Sequence, residues 1–262
     1  MNKQEELLQQ LLLDVARDAH RPEGVKVPQL RFTGGWVRDK LLKSTSPDID
    51  IGIDNMTGFE FGNLMKHFLE RDDIRAKYPP DVAGSLAKIS ANPEKSKHLE
   101  TATIKVLGLD IDLVNLRKET YSEVSRNPVM EFGSPEEDAL RRDATVNALF
   151  YNLQTGQVED FTGRGLEDLD GQVIKTPLPP LQTFKDDPLR VLRAIRFASR
   201  LGFKIADEDK AAMSESGIRL ALRAKISRER VGIEVFKMLK GAVSCHYSSG
   251  PKTDQEKVLH RT

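Results

Sequence analysis

The stretch GGWVRDKLLKSTSPDIDIGID, Gly34 to Asp54, decides how this chain folds. An extended-looking segment, LRFT, precedes the two glycines, and a short helical run follows them. A double glycine between strand and helix frees the backbone to turn sharply and aim N–H groups at an anion. The helix start adds partial positive charge. Further on, Ile49, Ile51 and Ile53 alternate with Asp48, Asp50 and Asp54. In a strand, that pattern puts the isoleucines on the core face and Asp48 and Asp50 together on the other. Carboxylates at i and i+2 repel unless a cation or solvent lies between them. Mg²⁺ takes one or two carboxylates together with substrate phosphates. Alone, the DxD also suits an exposed strand edge kept acidic for solubility. Arg38 and Asp39, about a turn into the helix, also suit a solvent-facing ion pair. Together, the glycine turn and the DxD set an anion site beside a cation site, as metal-assisted phosphoryl transfer requires. An EF-hand is excluded, because the glycine and the later glutamate are out of register.

Three further segments carry chemistry. In LGLDIDLVNLR, Leu109, Ile111 and Leu113 alternate with Asp110 and Asp112. Asp112 would complete a metal site, or act as base on an attacking hydroxyl, if its strand lies beside the first. A half-exposed strand explains it equally well. RRDATVN supplies Arg141 and Arg142, suited to phosphates, and Asp143 and Asn147, suited to ribose hydroxyls. A surface ion-pair cluster near a helix end fits the same residues. In DDPLRVLRAIRFASRLGF, Arg190, Arg193 and Arg196 recur every three residues along one side of a helix, and Leu189, Leu192 and Ile195 supply its buried side. Asp187 before Pro188 reads either as a helix cap or as half of a base-reading pair. A carboxylate only accepts and an arginine only donates, so Asp187 with Arg190 suits the Watson–Crick edges of C and A and rejects U and G.

The chain of 262 residues has 40 Lys plus Arg and 40 Asp plus Glu, so nucleic-acid contact must come from a local patch. Residues 190–230 hold eleven Lys/Arg against five Asp/Glu, which fits a phosphate-facing patch or a solvated helical surface. The single cysteine, Cys245, excludes a disulfide framework or a cysteine zinc site. No stretch is long enough to cross a bilayer, so no membrane partner is expected. The N-terminal MNKQEELLQQLLLDVARDAH reads as an amphipathic helix, unlike a signal or transit peptide. The expected compartment is cytoplasmic or nuclear, and an alternative upstream start would add a mitochondrial pool.

Thr57 and Glu60 form a capping box ahead of a stripe of Phe61, Leu64, Met65, Phe68 and Leu69. Residues 71–100 are charged and rich in turn formers, with KYPP and NPEKSKH reading as loop. TATIKVLGLDIDLVNL reads as one or two strands, Ser134-Pro135-Glu136-Glu137 as a helix start, and ALFYNLQTGQVEDF as two strands around a turn. The proline-rich TPLPPLQTFKDDP marks a boundary, and the pattern beyond it is helical to about Lys240. The fold class is α+β. Its divisions are an N-terminal helix and lead-in (1–28), a mixed α/β head (29–175), an all-helical segment (176–240) and a polar, turn-rich tail (241–262) expected to be disordered or poorly packed.

Taken in order, RFTGGWVRDKLL, NPEKSKHLETATIK, EEDALRRDATVNALFYN and DDPLRVLRAIRFASR resemble the class II tRNA nucleotidyltransferases, the CCA-adding enzymes of the polymerase-β superfamily, closest to the fungal form. The likeness runs from about Leu30 to Leu239. It implies a polymerase-β-like nucleotidyltransferase head with a mixed sheet, followed by a helical neck. Gly34, Gly35, Arg38 and Asp39 match the triphosphate turn, Asp48 and Asp50 the Mg²⁺ carboxylates, and Asp112 the third acidic residue. Arg142, Asp143 and Asn147 match the ribose-reading block. Asp187 and Arg190, with Arg193 nearby, match the amino-acid template for the incoming base. Asp160, Gly165, Asp168 and Leu169 match a hinge between head and neck, while Ser227, Arg228, Arg230 and Glu234 match a block that buttresses the template helix. The resemblance implies two-metal addition of CCA to the tRNA 3′ end from CTP and ATP, releasing pyrophosphate. A related poly(A) polymerase, or a catalytically weak nucleotide- or RNA-binding fragment, would share the head motifs. Family members continue into further helical domains, so this chain, ending at Thr262, is expected to be C-terminally truncated.

Overall fold

The computed structural model describes residues 1–18, 24, 26–46, 48–78, 83–89, 101–120 and 129–248. The chain opens with helix α1 (Lys3–Arg17), whose Asn2 and Glu5 close a capping box. Strand β1 (Leu30–Thr33) runs into the glycine turn and the short helix α2 (Gly35–Leu41). Strand β2 (Ile49–Ile53) follows, then α3 (Gly58–Glu70), capped reciprocally by Thr57 and Glu60. Helix α4 (Asp72–Arg75) and strand β3 (Ala83–Ile89) come next. These two elements, which the charge and turn formers of 71–100 did not announce, flank KYPP; NPEKSKH, read as loop, lies outside the described residues. The charged, proline-bearing composition masked a strand that exists because β4 offers it a ladder; residues 79–82 and 90–100 lie outside the described residues.

Strands β4 (Thr101–Val106) and β5 (Leu109–Asn115) form a hairpin turned by Leu107 and Gly108, both at positive φ. A small sheet of β6 (Arg117–Thr120) and β7 (Val129–Phe132) precedes α5 (Pro135–Leu140), capped by Ser134 and Glu137. A 3₁₀ turn (Thr145–Asn147) leads into the hairpin β8 (Phe150–Asn152) and β9 (Gln157–Glu159). The main sheet is seven-stranded, in the order β3-β4-β5-β2-β1-β8-β9. The β2–β5 pair is parallel and the other neighbours are antiparallel, so the sheet is mixed.

One face of this sheet is apolar, with Leu30, Phe32, Ile49, Ile51, Ile53, Ala102, Ile104, Ile111 and Leu113 all buried. The α1 leucines and Phe61, Met65 and Phe68 of α3 cover it. Each such large side chain contributes roughly 1.5–3 kcal/mol by leaving water. Gly58 opens α3 because that helix lies hard against β5. A Cβ there would sit 1.9 Å from the Leu113 carbonyl oxygen.

After the hairpin come α6 (Gly165–Asp170) and β10 (Val173–Ile174). The proline-rich boundary is itself helical, as α7 (Pro180–Asp186), and α8 (Leu189–Leu201) follows. Strand β11 (Lys204–Ile205) pairs in parallel with β10, so residues 176–240 are not all helical. Helices α9 (Asp207–Ser214), α10 (Ser216–Lys225) and α11 (Arg228–Ser248) complete the segment. Helix α11 runs past Lys240; the remainder of the expected tail, 249–262, lies outside the described residues.

Helix α8 reverses one expectation. Arg190 and Arg196 are buried with Leu189, Val191, Ala194 and Phe197, while Ile195 is 41% exposed. Carboxylates on neighbouring elements draw the arginine side inward, which hydrophobic periodicity alone does not register. Gly58→Ala should lower unfolding free energy by about 3 kcal/mol, from overpacking against backbone that has little room to move. Gly217→Ala, where a Cβ meets nothing within 4 Å, should be neutral or stabilising. Urea unfolding of both variants checks the contrast.

Candidate functional site

The other face of the sheet is built around two register facts. Asp50 stands opposite Asp112 across the parallel β2–β5 pair, and opposite Thr33 across β1–β2. Paired residues share a face, so Asp50 and Asp112 point to the same side. Gly34 follows Thr33 directly, which sets the glycine turn beside the carboxylates. Burial and the nearby Asp112, Asp48 and Asp138 charges push the Asp50 carboxyl up to about 6, against the pull of Arg142. Thr103, in register with Asp112, donates its hydroxyl to Asp112 Oδ1 at 2.6 Å. Among the described residues, no three His, Cys, Asp or Glu side chains are gathered closely enough to hold a metal ion by themselves.

Gly34 has φ +67°, and a Cβ there would meet Arg142 Nη1 at 2.8 Å. The turn is therefore lined by a guanidinium. Arg142 adds a guanidinium charge to the partial positive charge of the α2 start. Arg142 is fixed by Asp138 Oδ2, from Nε at 3.0 Å and Nη2 at 2.8 Å. Its Nη1 donates to the Asn147 carbonyl at 3.0 Å, and its guanidinium lies 5.0 Å from the Phe150 ring centroid. Asp138 is 1% exposed and also binds Arg141. Its carboxyl stays below the usual range: burial opposes ionisation, but Arg142 and Arg141 outweigh it. Sequence reading passed over Asp138 because PEEDAL looks like an ordinary acidic helix start.

Arg38 and Asp39 do not face solvent; both are buried. Arg38 Nε and Nη2 donate to Asp39 Oδ1 at 2.8 and 2.6 Å, and Nη1 donates to Asn147 Oδ1. Asn147 Nδ2 in turn donates to Asp143 Oδ1 at 3.1 Å. Asp143 Oδ2 accepts from Arg193 Nε on α8 at 2.5 Å. Burial opposes ionisation of Asp143, yet Arg193 and the Asn147 hydrogen bond bring its carboxyl down to about 2.

Between α7 and α8, Asp187 Oδ1 accepts the Leu189 N–H at 3.1 Å, and its Oδ2 lies 3.5 Å from Arg230 of α11. Arg190 Nη2 donates to the Arg141 carbonyl at 2.7 Å and lies 3.6 Å from Glu119 Oε2. Asp187 thus turns toward α11 and Arg190 toward the sheet domain. Glu119, on β6, also accepts from Arg117 and Arg141; nothing in RKET announced that role. Glu234 of α11 receives Arg196 Nε at 2.6 Å and approaches Arg193 at 3.9 Å, holding α11 on α8. Asp160 accepts the Thr162 and Leu166 N–H groups and Asp168 accepts the Thr145 hydroxyl, while Gly165 packs against Leu149 and the Thr145 carbonyl.

The model of the Poly A polymerase head domain matches residues 30–175. The chain belongs to that family. Within the family, it is 55% identical over 259 residues to nucleotidyltransferase lcsQ of Purpureocillium lilacinum, covering 96% of this chain and 43% of that protein. It is 57% identical over 212 residues to the mitochondrial CCA tRNA nucleotidyltransferase of Saccharomyces cerevisiae, covering 81% of this chain and 38% of that one. A solved CCA-adding enzyme in complex with CTP superposes with a TM-score of 0.67 at 26% identity, over 95% of this chain and 51% of that chain. The head-domain chain therefore spans less than half the length of these two curated relatives, and its resemblance is to class II tRNA nucleotidyltransferases. Among the described residues, no helix is long and apolar enough to cross a membrane.

The Asp143 pair gives this family member a pH signature. A folded pKa of about 2, below the ordinary 3.8, contributes stability that is fully present above pH ~4 and lost as pH falls through ~2. Asp143→Asn should therefore cost about 2 kcal/mol at pH 7. That deficit should shrink below pH 4, as read by urea unfolding at stepped pH.

Proposed function

We propose that this head-domain chain adds CCA to the 3′ end of tRNA from CTP and ATP, releasing pyrophosphate. The observation that carries the reading is the shared face of Asp50 and Asp112, with the Asp48 charge acting on Asp50, beside the Gly34 turn and Arg142. The names of the matched relatives, CCA tRNA nucleotidyltransferase and CCA-adding enzyme with CTP, support the choice of substrates.

Mg²⁺ suits these residues: the donors are hard carboxylate oxygens, and their mutual repulsion with Asp50's burial penalises the metal-free anionic state. Asp48 and Asp50 would hold it, supplying Lewis-acid stabilisation of charge at the phosphates. The protein's own groups do the rest. Gly34 and Gly35 let the triphosphate approach the backbone, and Arg142 faces its charge. Asp143, ionised at any working pH, accepts from a ribose hydroxyl, and Asn147 donates through its remaining N–H. Asp187 accepts from the exocyclic amine of C or A, and Arg190 donates to the adjacent ring nitrogen, once both leave their present partners. Asp112, fixed by Thr103, is placed to accept the proton of the attacking tRNA hydroxyl. The head is assigned to 29–175 and the neck to 176–240. The compartment is assigned to cytosol or nucleus, with a mitochondrial pool, as the name of the yeast relative suggests.

Extension of a tRNA ending at the discriminator base tests this. CTP alone should add two residues and CTP with ATP three. Asp48→Ala and Asp50→Ala should each reduce the rate by about 10³-fold or more, the scale of losing transition-state charge stabilisation. Use of ATP but not CTP would identify a poly(A) polymerase, and CTP binding without turnover a binding fragment. Asp187→Ala should narrow the preference for CTP over UTP by about tenfold, the worth of a hydrogen bond to a charged group. Unchanged nucleotide choice removes the template role.

A further inference from the structure

Asn147 and Asp143 can read a sugar hydroxyl only if their polar atoms are held in one arrangement. Asn147 Oδ1 accepts from Arg38 and its Nδ2 donates to Asp143 Oδ1, so the amide has one orientation. Asp143 is anchored at its other oxygen by Arg193 Nε, at 2.5 Å. That arginine comes from α8, the helix that also carries Arg190 and begins two residues after Asp187. Its guanidinium lies 5.5 Å from the Phe197 ring centroid and approaches Glu234 at 3.9 Å, while Arg38 lies 5.6 Å from the same ring. Ties run unbroken from the glycine-turn helix through the Asn147–Asp143 pair to the helix assigned to base reading.

We propose that Arg193 is a positioning residue for sugar selection. It touches no nucleotide itself; by holding Asp143 it fixes the hydroxyl-reading atoms and locks them to the base-reading helix. The inference rests on the nucleotide-binding part of the proposed function. Without the Arg193 bond, Asp143 can rotate about its Cα–Cβ bond, Asn147 loses its fixed acceptor, and a 2′-hydroxyl meets no preorganised partner. The loss falls on CTP and not on dCTP, because dCTP lacks the group being read.

The test is equilibrium binding of CTP and dCTP, measured by calorimetry on the full chain, so that turnover is not required. For the unmodified protein, CTP should bind more tightly than dCTP. In Arg193→Met that ratio should fall about tenfold, the scale of losing one charge-assisted hydrogen bond, with dCTP affinity nearly unchanged. Arg193→Lys keeps a cation beside Asp143 but loses the guanidinium fork, so its ratio should lie between the two. It also decides the matter if the Met variant fails to fold. An unchanged ratio in Arg193→Lys and Arg193→Met, or equal weakening for both nucleotides, overturns the inference. CTP binding with this pattern but no tRNA extension would sustain it while removing the catalytic reading. Failure of the unmodified protein to bind CTP would overturn both.

Discussion

The parallel, in-register pairing of β2 with β5 is the constraint on which the rest depends. It sets Asp50 directly across from Asp112, with the Asp48 charge close enough to act on Asp50. Like charges on neighbouring strands are destabilising, and burial together with the Asp112 and Asp48 charges pushes the Asp50 carboxyl up to about 6. The arrangement persists because the opposite face of the same strands carries Ile49, Ile51, Ile53, Ile111 and Leu113, all packed in the core with α1 and α3. A one-residue slip would relieve the repulsion only by turning Ile49, Ile51 and Ile53 out to solvent. Hydrophobic burial thus holds the carboxylates in a geometry they would not choose.

Around that face, arginine–carboxylate pairs tie together the end of α5 and join elements far apart in sequence. Asp138 gathers Arg141 and Arg142, Asp143 takes Arg193, Glu119 takes Arg141 and approaches Arg190, and Glu234 takes Arg196. Buried ion pairs contribute little net stability once desolvation is counted, but breaking one leaves an uncompensated charge. Their use here is directional. The apolar cluster of Phe184, Val191, Ala212 and Ile218 packs the α7–α10 helices with little side-chain geometry to enforce, whereas each guanidinium fixes both distance and angle.

Much of the fold was legible because its signals are local. Capping boxes at Thr57 and Ser134, the alternation in DIDIGID and LDIDLVN, and the glycine at a positive φ before α2 each depend on a few adjacent residues. Strand β3 was not legible, since its identity comes from pairing with β4 rather than from its own composition. The inward face of α8 was missed for a related reason: periodicity scores apolar side chains, and the side chains buried there include arginines matched to acids on other elements.

By itself the sequence determined which residues have the chemistry: the acids that alternate with isoleucine, the glycines that allow the turn, and the arginines and amide whose donors and acceptors suit phosphate and sugar. Tertiary structure alone decided their company. That Asp112 stands beside Asp50, that Arg38 reaches Asn147, and that Arg193 meets Asp143 are set by strand order and helix packing over separations of fifty to more than one hundred residues. Local sequence encodes dihedral preference and the period of burial. It does not encode which distant partner closes the ladder, because that choice is made by the apolar core as a whole.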